Sequence, residues 1–479
     1  MRPFFFCAAW IYPATALLLL TNCSGSGSDA ALPRNGGITS GSVRTLGPDL
    51  TCSPRPCVFP NEQASSGGPA IYASIVANPT NSMQLLSGAE DFSCTTGMAS
   101  YASSDGGATW KQSCFTLPGQ EFGIENALVA YDSKGTAYRA GLDNQSRGWG
   151  AVFATSMDNG TTWSAARDVV GPYFVGGRAD NAWMSVDTNR GSPRKNAIYI
   201  AMQQIDYPKQ DSLFTVAHSY DGGTTWTNVP VNPQVSPPAI DLFADLAIGK
   251  DGTVYIAWME CSSTNPVGGC GHTRATIYFS KSTDGGNTWS SQTVIDTPEL
   301  VPGERCGRSG CLPHTKEQVV EMPAIAVDNS TGQRAGTLYL TDYAWVHRHM
   351  QVRVLQSHDG GSTWSPPAPV APTSDTKDQF FPWVSVSAAG VVGVTWMDRR
   401  NDPADISYEA FGAFSKDGVH FPKNYQIAAN PSNPNNNGLG QVIGFLSTNA
   451  WVGKALYAAW TDTSNGLSAQ DVVGGLLRR

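Results

Sequence analysis

The amino-acid sequence predicts an all-β protein built from repeated four-stranded sheets. Three observations lead to this prediction: an excess of turn-forming residues, a short motif that recurs along the chain, and a pair of strand patterns in each interval. The chain has 479 residues, of which 50 are Gly and 31 are Pro, and only 15% are charged. Typical globular chains have about 25% charged residues and about 7% Gly. The composition therefore disfavours helical bundles and coiled coils.

One motif, S-x-D-x-G-x-T-W, occurs five times, and a degraded sixth copy reads SKDGVHF. The copies begin at Ser103, Ser156, Ser219, Ser282, Ser357 and Ser415. Their Asp residues are 53 to 75 positions apart, the length of one propeller blade with its loops. The Asp carboxylate can accept backbone N–H bonds across a tight turn, Gly permits positive φ, and Trp supplies a large apolar face. The motif therefore predicts structural hairpin turns in a β-propeller.

The number of blades follows from the strand patterns between the motifs. A strand, a polar turn and a second strand precede each copy, and one further pair, VIGFLSTNAWVGKALYAAWTD, follows the sixth. Seven openings favour seven blades, with six as the alternative. The last blade lacks an outer strand, and the segment ITSGSVRTL from Ile38 is the candidate for that place. Such a strand would remove the free sheet edge, so we predict one closed propeller over residues 38–479.

These repeats resemble the Asp boxes, or BNR repeats, of the sialidase superfamily. The resemblance runs from about Ala70 to the C-terminus and implies the propeller fold. It implies less about activity, because Asp boxes occur in sialidases, other glycosidases and lyases, sorting receptors and assembly factors. Sialidases have six blades, which is why the six-bladed alternative stays open.

The N-terminal segment has the pattern of an export signal. Residues 1–23 carry Arg2, an apolar stretch and then polar residues. The ending LTNC resembles the lipobox of bacterial lipoproteins and implies lipidation of Cys23. Residues 24–37 are typical of a flexible tether. We expect an exported protein, periplasmic or at the cell surface, held to the membrane only through the lipid anchor. Simple signal cleavage is the alternative.

Eight further cysteines fall into neighbouring couples, which is typical of disulfides in an oxidising compartment. The couples are Cys52 with Cys57, Cys94 with Cys114, Cys261 with Cys270, and Cys306 with Cys311. Their spacings are not those of a C-x-x-C zinc site. We predict no metal site, and a Ca²⁺ ion at an acidic rim is the alternative that an excess of oxygen ligands leaves open.

Charge limits the classes of partner. The formal net charge is -8 and no block of Lys or Arg occurs, so nucleic acid is excluded as the expected partner. We expect a monomer that binds carbohydrate or another polar ligand.

Acidic residues recur where inner strands begin and second strands end, which in a propeller is the same rim. They are Glu125, Asp180, Asp245, Glu321 and Asp378 before the first strands, and Glu90, Asp143, Asp206, Glu260, Asp342, Asp398 and Asp462 after the second. Turn chemistry alone explains single members of the set. Crowded carboxylates at a channel mouth also raise one another's pKa values, as catalytic acids require.

Arginines beside these carboxylates are the candidate substrate-binding groups. Arg178 lies two residues before Asp180, Asp398 precedes Arg399, and Arg348 follows the fifth opening. Guanidinium groups bind carboxylates bidentately, which suits recognition of an anionic ligand. A structural ion pair is the alternative for each couple.

The sialidase resemblance implies three arginines on the substrate, a Tyr–Glu nucleophile pair and an acid/base Asp. The corresponding candidates are Arg178, Arg348 and Arg399, with Tyr343 and Glu321 as the pair. The Phe/Tyr-Arg-Ile-Pro segment of sialidases is absent, because the first strand reads GGPAIYASIVANP.

We therefore predict a glycan-acting propeller. As a glycoside hydrolase it uses Asp180 or Glu321 as general acid, with Tyr343, and binds substrate through Arg178, Arg348, Arg399 and Asp398. The alternative is a noncatalytic binding or envelope-assembly lipoprotein that uses the same rim.

Overall fold

A computed structural model of the chain describes residues 56–478 apart from twelve short gaps. The gaps are residues 66–67, 117–123, 144–149, 264–269, 271–273, 303–310, 316, 320–321, 373–375, 437–442, 445 and 467–469. The described strands form seven antiparallel sheets, and the innermost strand of each contacts those of its two neighbours. The fold is an all-β propeller with seven blades, as predicted. Within the described residues, no helix has the length and apolarity needed to cross a membrane.

Two short strands, β1 (Cys57–Val58) and β2 (Glu62–Gln63), come first along the chain. Blades 1 to 3 then follow, each given from its inner to its outer strand. They are β3 (Ala70–Ala77), β4 (Leu85–Asp91), β5 (Met98–Ser103) and β6 (Lys111–Cys114); β7 (Ile124–Tyr131), β8 (Ala137–Asp143), β9 (Ala151–Ser156) and β10 (Arg167–Val170); and β11 (Arg178–Val186), β12 (Ile198–Asp206), β13 (Asp211–Ser219) and β14 (Thr227–Pro230).

Blades 4 to 6 repeat this order, and blade 7 contributes three strands. They are β15 (Ala239–Ile248), β16 (Val254–Ser262), β17 (Ala275–Ser282) and β18 (Thr293–Asp296); β19 (Ala324–Val327), β20 (Leu338–Val346), β21 (His349–Ser357) and β22 (Ala368–Pro369); β23 (Gln379–Val386), β24 (Val392–Asp398), β25 (Glu409–Ser415) and β26 (Asn424–Gln426); and β27 (Thr448–Val452), β28 (Ala455–Asp462) and β29 (Asp471–Arg478). A 3-10 turn spans Pro434–Asn436.

Blade 7 is completed by strands from the start of the described chain. Both β1 and β2 pair with β29, with Cys57 opposite Arg478 and Glu62 opposite Gly474. The predicted closure by an N-terminal strand is therefore confirmed. The outer position is occupied by β1 and β2, so the prediction that residues 38–46 fill it is wrong. Residues 38–46 themselves lie outside the described residues.

The six motif copies form hydrogen-bonded turns between the third and fourth strands; we call them the repeat turns. In blade 3, Gly223 N–H donates to Ser219 Oγ at 2.9 Å, and Ser219 Oγ donates to Asp221 Oδ1 at 2.8 Å. The hydroxyl and N–H of Thr225 donate to the two Asp221 oxygens at 2.6 and 2.8 Å. These bonds, the Thr225 hydroxyl foremost, lower the pKa of Asp221 to about 2. In the degraded sixth copy, the His420 ring replaces the Thr hydroxyl.

Glycines in the repeat turns pack against the blade before them. A Cβ on Gly361 would lie 2.1 Å from the ring of Phe279, and one on Gly223 would lie 2.4 Å from the ring of Phe153. Both glycines have positive φ. The turns are therefore sites of contact between consecutive blades as well as hairpin ends.

Gly361→Ala is expected to lower the free energy of unfolding by about 3 kcal/mol, because Phe279 is buried and the added methyl group overpacks this contact. Gly360→Ala is the matched control: its φ is also positive, but its Cβ would meet only Lys281 Nζ, at 3.3 Å. It should cost about 1 kcal/mol for the backbone alone. Denaturant unfolding of both variants measures the difference, and equal losses would contradict this packing role.

Two of the four predicted disulfides lie wholly within the described residues. Cys94 is bonded to Cys114, and Cys261 to Cys270, so both pairings are confirmed. Each bond joins a loop after a second strand to a neighbouring strand of its own blade. Cys57 and Cys311 are also disulfide-bonded, and their predicted partners Cys52 and Cys306 lie outside the described residues.

Candidate functional site

The two ends of the propeller channel differ in chemistry. Inner strands begin, and second strands end, at one end, which we call the site rim. Several second strands terminate there in Asp, namely β4, β8, β12, β24 and β28. The repeat turns follow third strands and therefore lie at the opposite end. Acidic side chains thus gather at one rim and the structural turns at the other.

A β-bulge interrupts most inner strands just inside the site rim. At the bulge, Tyr72, Asn126, Asn181, Phe243 and Phe381 have φ between 43° and 61°, next to register shifts in the pairing with the second strand. Positive φ costs non-glycine residues free energy, and such residues cluster at functional sites. The residue with positive φ is polar in blades 1 to 3, whereas in blades 4 and 6 it is a Phe buried in the hydrophobic core.

Acidic side chains from blades 1, 2 and 3 converge at this mouth. The Asn126 N–H donates to Glu90 Oε1 at 2.9 Å, and the Asn126 Oδ1 accepts the Ala182 N–H at 2.6 Å. Asp180 Oδ1 accepts the next N–H in the bulge, that of Asn181, at 2.8 Å. These bonds connect Glu90 of blade 1 to Asp180 of blade 3 through blade 2. We call Tyr72, Glu90, Glu125 and Asp180 the acidic cluster.

Burial and mutual repulsion change the protonation of this cluster. Glu90 is 7% exposed, and its burial, with the charges of Glu125 and Asp180, raises its pKa to about 8. Burial and the same three carboxylates raise the pKa of Tyr72 well above its usual range. At neutral pH, Glu90 is therefore a protonated acid and Tyr72 keeps its hydroxyl proton.

Arg178 is held inside the cluster by an ion pair. Its Nη2 binds Asp180 Oδ2, its Nη1 donates to the Tyr207 hydroxyl at 3.0 Å, and its side chain is 2% exposed. The pair therefore places a guanidinium on Asp180 within the hydrogen-bonded network that reaches Glu90. Arg178 and Asp180 thus form a buried ion pair, which is the structural alternative to substrate binding by Arg178.

The other predicted arginines lie elsewhere. Arg399 is fully buried in blade 6, where its Nη1 donates to the Pro313 carbonyl at 2.9 Å and pairs with Asp378 at 3.4 Å. Arg348 is exposed in the hairpin between β20 and β21. None of the contacts described for Arg178 or Arg399 joins one to the other. The structure therefore does not assemble the three arginines into a triad among the described contacts.

The remaining predicted site residues are structural or lie outside the described residues. Tyr343 is 1% exposed and its hydroxyl donates to the Val319 carbonyl at 2.9 Å. Asp398 is fully buried and accepts bonds from Trp396 Nε1 at 2.7 Å and from Arg400. Glu321 lies outside the described residues. Asp180 alone of the predicted catalytic residues lies in the acidic cluster.

Two tryptophans from opposite sides of the ring meet inside the channel. The ring centroids of Trp183 (blade 3) and Trp383 (blade 6) are 4.8 Å apart. Beyond them, toward the repeat turns, a cavity of about 380 Å³ is lined by inner strands of all seven blades. Trp183 and Trp383 line this cavity and directly follow the bulges of their inner strands.

Sequence reasoning found the acidic rim but missed its centre. Glu90 and Glu125 were members of the predicted acidic set, whereas Tyr72 carried no signal. The Asn residues at two bulges, Asn126 and Asn181, were the available hint, because Asn adopts positive φ more readily than most residues. Among the described side chains, no three of His, Cys, Asp or Glu are placed to hold a metal ion.

Comparisons with known proteins give similarity of fold at low identity. Neither a protein-family model nor a curated protein matches the chain. A mutant NanB sialidase from Streptococcus pneumoniae is 12% identical, with a TM-score of 0.46, over 71% of this chain and 67% of that one. An α-L-arabinanase from Penicillium chrysogenum, complexed with arabinobiose, is 12% identical, with a TM-score of 0.47, over 74% and 92%. A Dyadobacter fermentans protein of unknown function is 12% identical, with a TM-score of 0.46, over 89% and 99%.

Proposed function

We propose that the chain is a glycoside hydrolase that acts on glycans at the acidic cluster. The observation that carries the proposal is the pairing of two unlike carboxyl groups at one mouth. Glu90 is buried and its pKa is raised to about 8, whereas Asp180 is ion-paired with Arg178. Glycosidases need such a pair, one acid to protonate the leaving oxygen and one carboxylate to act as base or nucleophile.

The assignment of roles follows from the surroundings of each group. Glu90 is the general acid, because its proton is retained to about pH 8. Asp180 is the base or nucleophile, a role different from the one expected for it from sequence. Tyr72 lies in the same field of carboxylates and keeps its hydroxyl proton, so it adds no further negative charge to the cluster.

The charges at the cluster favour an uncharged glycan. Arg178 is already bound to Asp180 and Tyr207, and Glu125 adds a further carboxylate from the same face. A sugar carboxylate entering this mouth would meet like charge without a guanidinium turned toward it among these residues. We therefore infer that neutral glycosides are better substrates than sialosides.

A panel of chromogenic glycosides, neutral and sialylated, tests the proposal. The wild-type protein should release the chromophore from at least one neutral glycoside, and Asp180→Asn should reduce kcat by about 10²-fold or more. Asp462→Asn, at the same rim in blade 7, is the matched control and should stay within about twofold. Binding of glycans without any turnover would instead favour the noncatalytic alternative, and turnover that survives Asp180→Asn would remove the assigned role.

A further inference from the structure

We propose that the loop of residues 171–177 binds the sugar units that extend from the acidic cluster toward the outside of the propeller. The loop joins the outer strand of blade 2, β10, to the inner strand of blade 3, β11. It therefore crosses the site rim from the periphery to the channel mouth. This inference rests on the proposed function, because it names where the rest of the glycan lies.

Apolar side chains on this loop face solvent. Tyr173 is 44% exposed and Val175 is fully exposed. The loop reads GPYFVGG and contains no charged residue. Among the described residues six large hydrophobic side chains are exposed, and these two are separated by one position. We call the exposed surface of Tyr173 and Val175 the aromatic platform.

The platform is held in place by hydrogen bonds beneath it. The Tyr173 N–H donates to Gln204 Oε1 at 2.9 Å, and Gln204 is fully buried and donates to Thr215 Oγ1 at 3.0 Å. The Gly177 N–H closes the loop on the Phe174 carbonyl at 3.0 Å. The Tyr173 and Phe174 rings pack edge to face, with their centroids 5.2 Å apart. A surface ordered before binding loses little conformational freedom when a ligand arrives.

The loop is continuous with the acidic cluster. Gly177, its last residue, precedes Arg178, which binds Asp180 on one side and the Tyr207 hydroxyl on the other. A glycan whose reacting bond lies at Glu90 and Asp180 and which extends outward between blades 2 and 3 would pass over this loop. The position of the platform therefore identifies its occupant as the same glycan chain.

Sugar chemistry fits this surface. A pyranose ring presents a face of C–H groups, which packs on an aromatic face, while its hydroxyls point sideways into water. A loop without charged residues neither attracts nor repels a charged sugar, so binding to it depends on shape and on ring stacking. We infer that the platform binds neutral oligosaccharides and contributes little for a single sugar.

The double variant Tyr173→Ala/Val175→Ser tests the platform. An array of neutral di- to hexasaccharides identifies those that the wild-type protein binds, and the double variant should lose about tenfold in affinity for the longer ones. Its kcat/KM for a glycosyl fluoride, which has no second sugar, should stay within twofold of wild type. Met157→Ser, an 83% exposed residue on a repeat turn at the opposite rim, is the matched control.

The outcomes separate the platform from the proposed function. Loss of oligosaccharide affinity in the double variant alone supports the platform, even if the wild-type protein hydrolyses nothing and the proposed function fails. Unchanged affinity in the double variant, an equal loss in Met157→Ser, or no binding of any oligosaccharide by the wild-type protein overturns it. Thermal unfolding of the three proteins shows whether a loss of affinity reflects misfolding of the double variant. If it does, the single variant Tyr173→Phe, which keeps the aromatic ring, is the second test and should bind oligosaccharides as the wild-type protein does.

Discussion

Glu90→Gln is expected to reduce kcat/KM for a glycoside with a poor leaving group by about 10³-fold. Glutamine keeps the size of the side chain and can still accept the Asn126 N–H, so the fold around blades 1 and 2 should be retained. It cannot give up a proton, and the departing oxygen then leaves as an alkoxide. A dinitrophenyl glycoside, whose leaving group needs no protonation, should lose much less activity.

The pH profile provides a second readout for the same variant. Burial and the neighbouring carboxylates place the pKa of Glu90 at about 8, so the acid form is present below that pH and disappears above it. Wild-type kcat should therefore be sustained through neutral pH and fall as the pH rises through about 8. Glu90→Gln should lack this alkaline limb.

Glu260→Gln is the matched control for Glu90→Gln. Glu260 also has a pKa raised by burial, but it belongs to the second strand of blade 4, outside the acidic cluster. Its substitution should change kcat/KM by less than about twofold. Equal losses in both variants, or full activity of Glu90→Gln on the poor leaving group, would refute the assignment of the general acid.

Arg353→Met is expected to lower the free energy of unfolding by about 3 kcal/mol. Arg353 Nη2 binds Asp342 of its own blade and Asp296 of blade 4, the latter at 2.5 Å. Asp342 is fully buried, so removing the guanidinium leaves a carboxylate without compensation inside the protein. The expected loss can be measured by urea unfolding at pH 8.

The loss should be smaller at pH 5 than at pH 8. Burial raises the pKa of Asp342 to about 6 against the opposing effect of Arg353. A raised acid pKa favours folding at low pH, and that contribution disappears as the pH rises through the folded value. Without Arg353 the folded pKa rises further, so the cost of ionising Asp342 grows between pH 5 and pH 8. A uniform loss at both pH values would contradict this account.

Arg274→Met is the control for this ion pair. Arg274 Nη2 lies 3.3 Å from Glu299 Oε1, but the two side chains are 78% and 53% exposed. Water screens such pairs, which contribute at most about 1 kcal/mol. The contrast between the two arginines should therefore depend on burial and not on the presence of an ion pair.

The blades were predictable because their signals are local. Each repeat turn is coded by adjacent residues, from Ser219 to Trp226 in blade 3, and strand patterns precede each one. The closing strand was less predictable: β1 and β2 are two residues each, too short for a periodic pattern. The longer β-like segment from Ile38 carries the stronger sequence pattern.

The centre of the site depends on contacts that no local pattern contains. The bulge at Tyr72 arises where β3 loses register with β4, and Glu90 and Asp180 are 90 positions apart. Arg178 was identified as a partner of carboxylate, but whether that carboxylate belongs to substrate or to Asp180 depends on burial. Residue type and spacing thus located the rim, and three-dimensional packing decided which groups are free to react.

The closure of blade 7 also bears on the order in which the molecule folds. Blades 1 to 6 are each built from a continuous stretch of chain, so they can form one after another during synthesis. Blade 7 needs Cys57 and Arg478 side by side, and that contact waits until the last strand has been made. Contacts so distant in sequence slow folding, so joining the ring should be the late, rate-limiting event, and an incomplete ring would expose the unpaired edge of β29 to other chains.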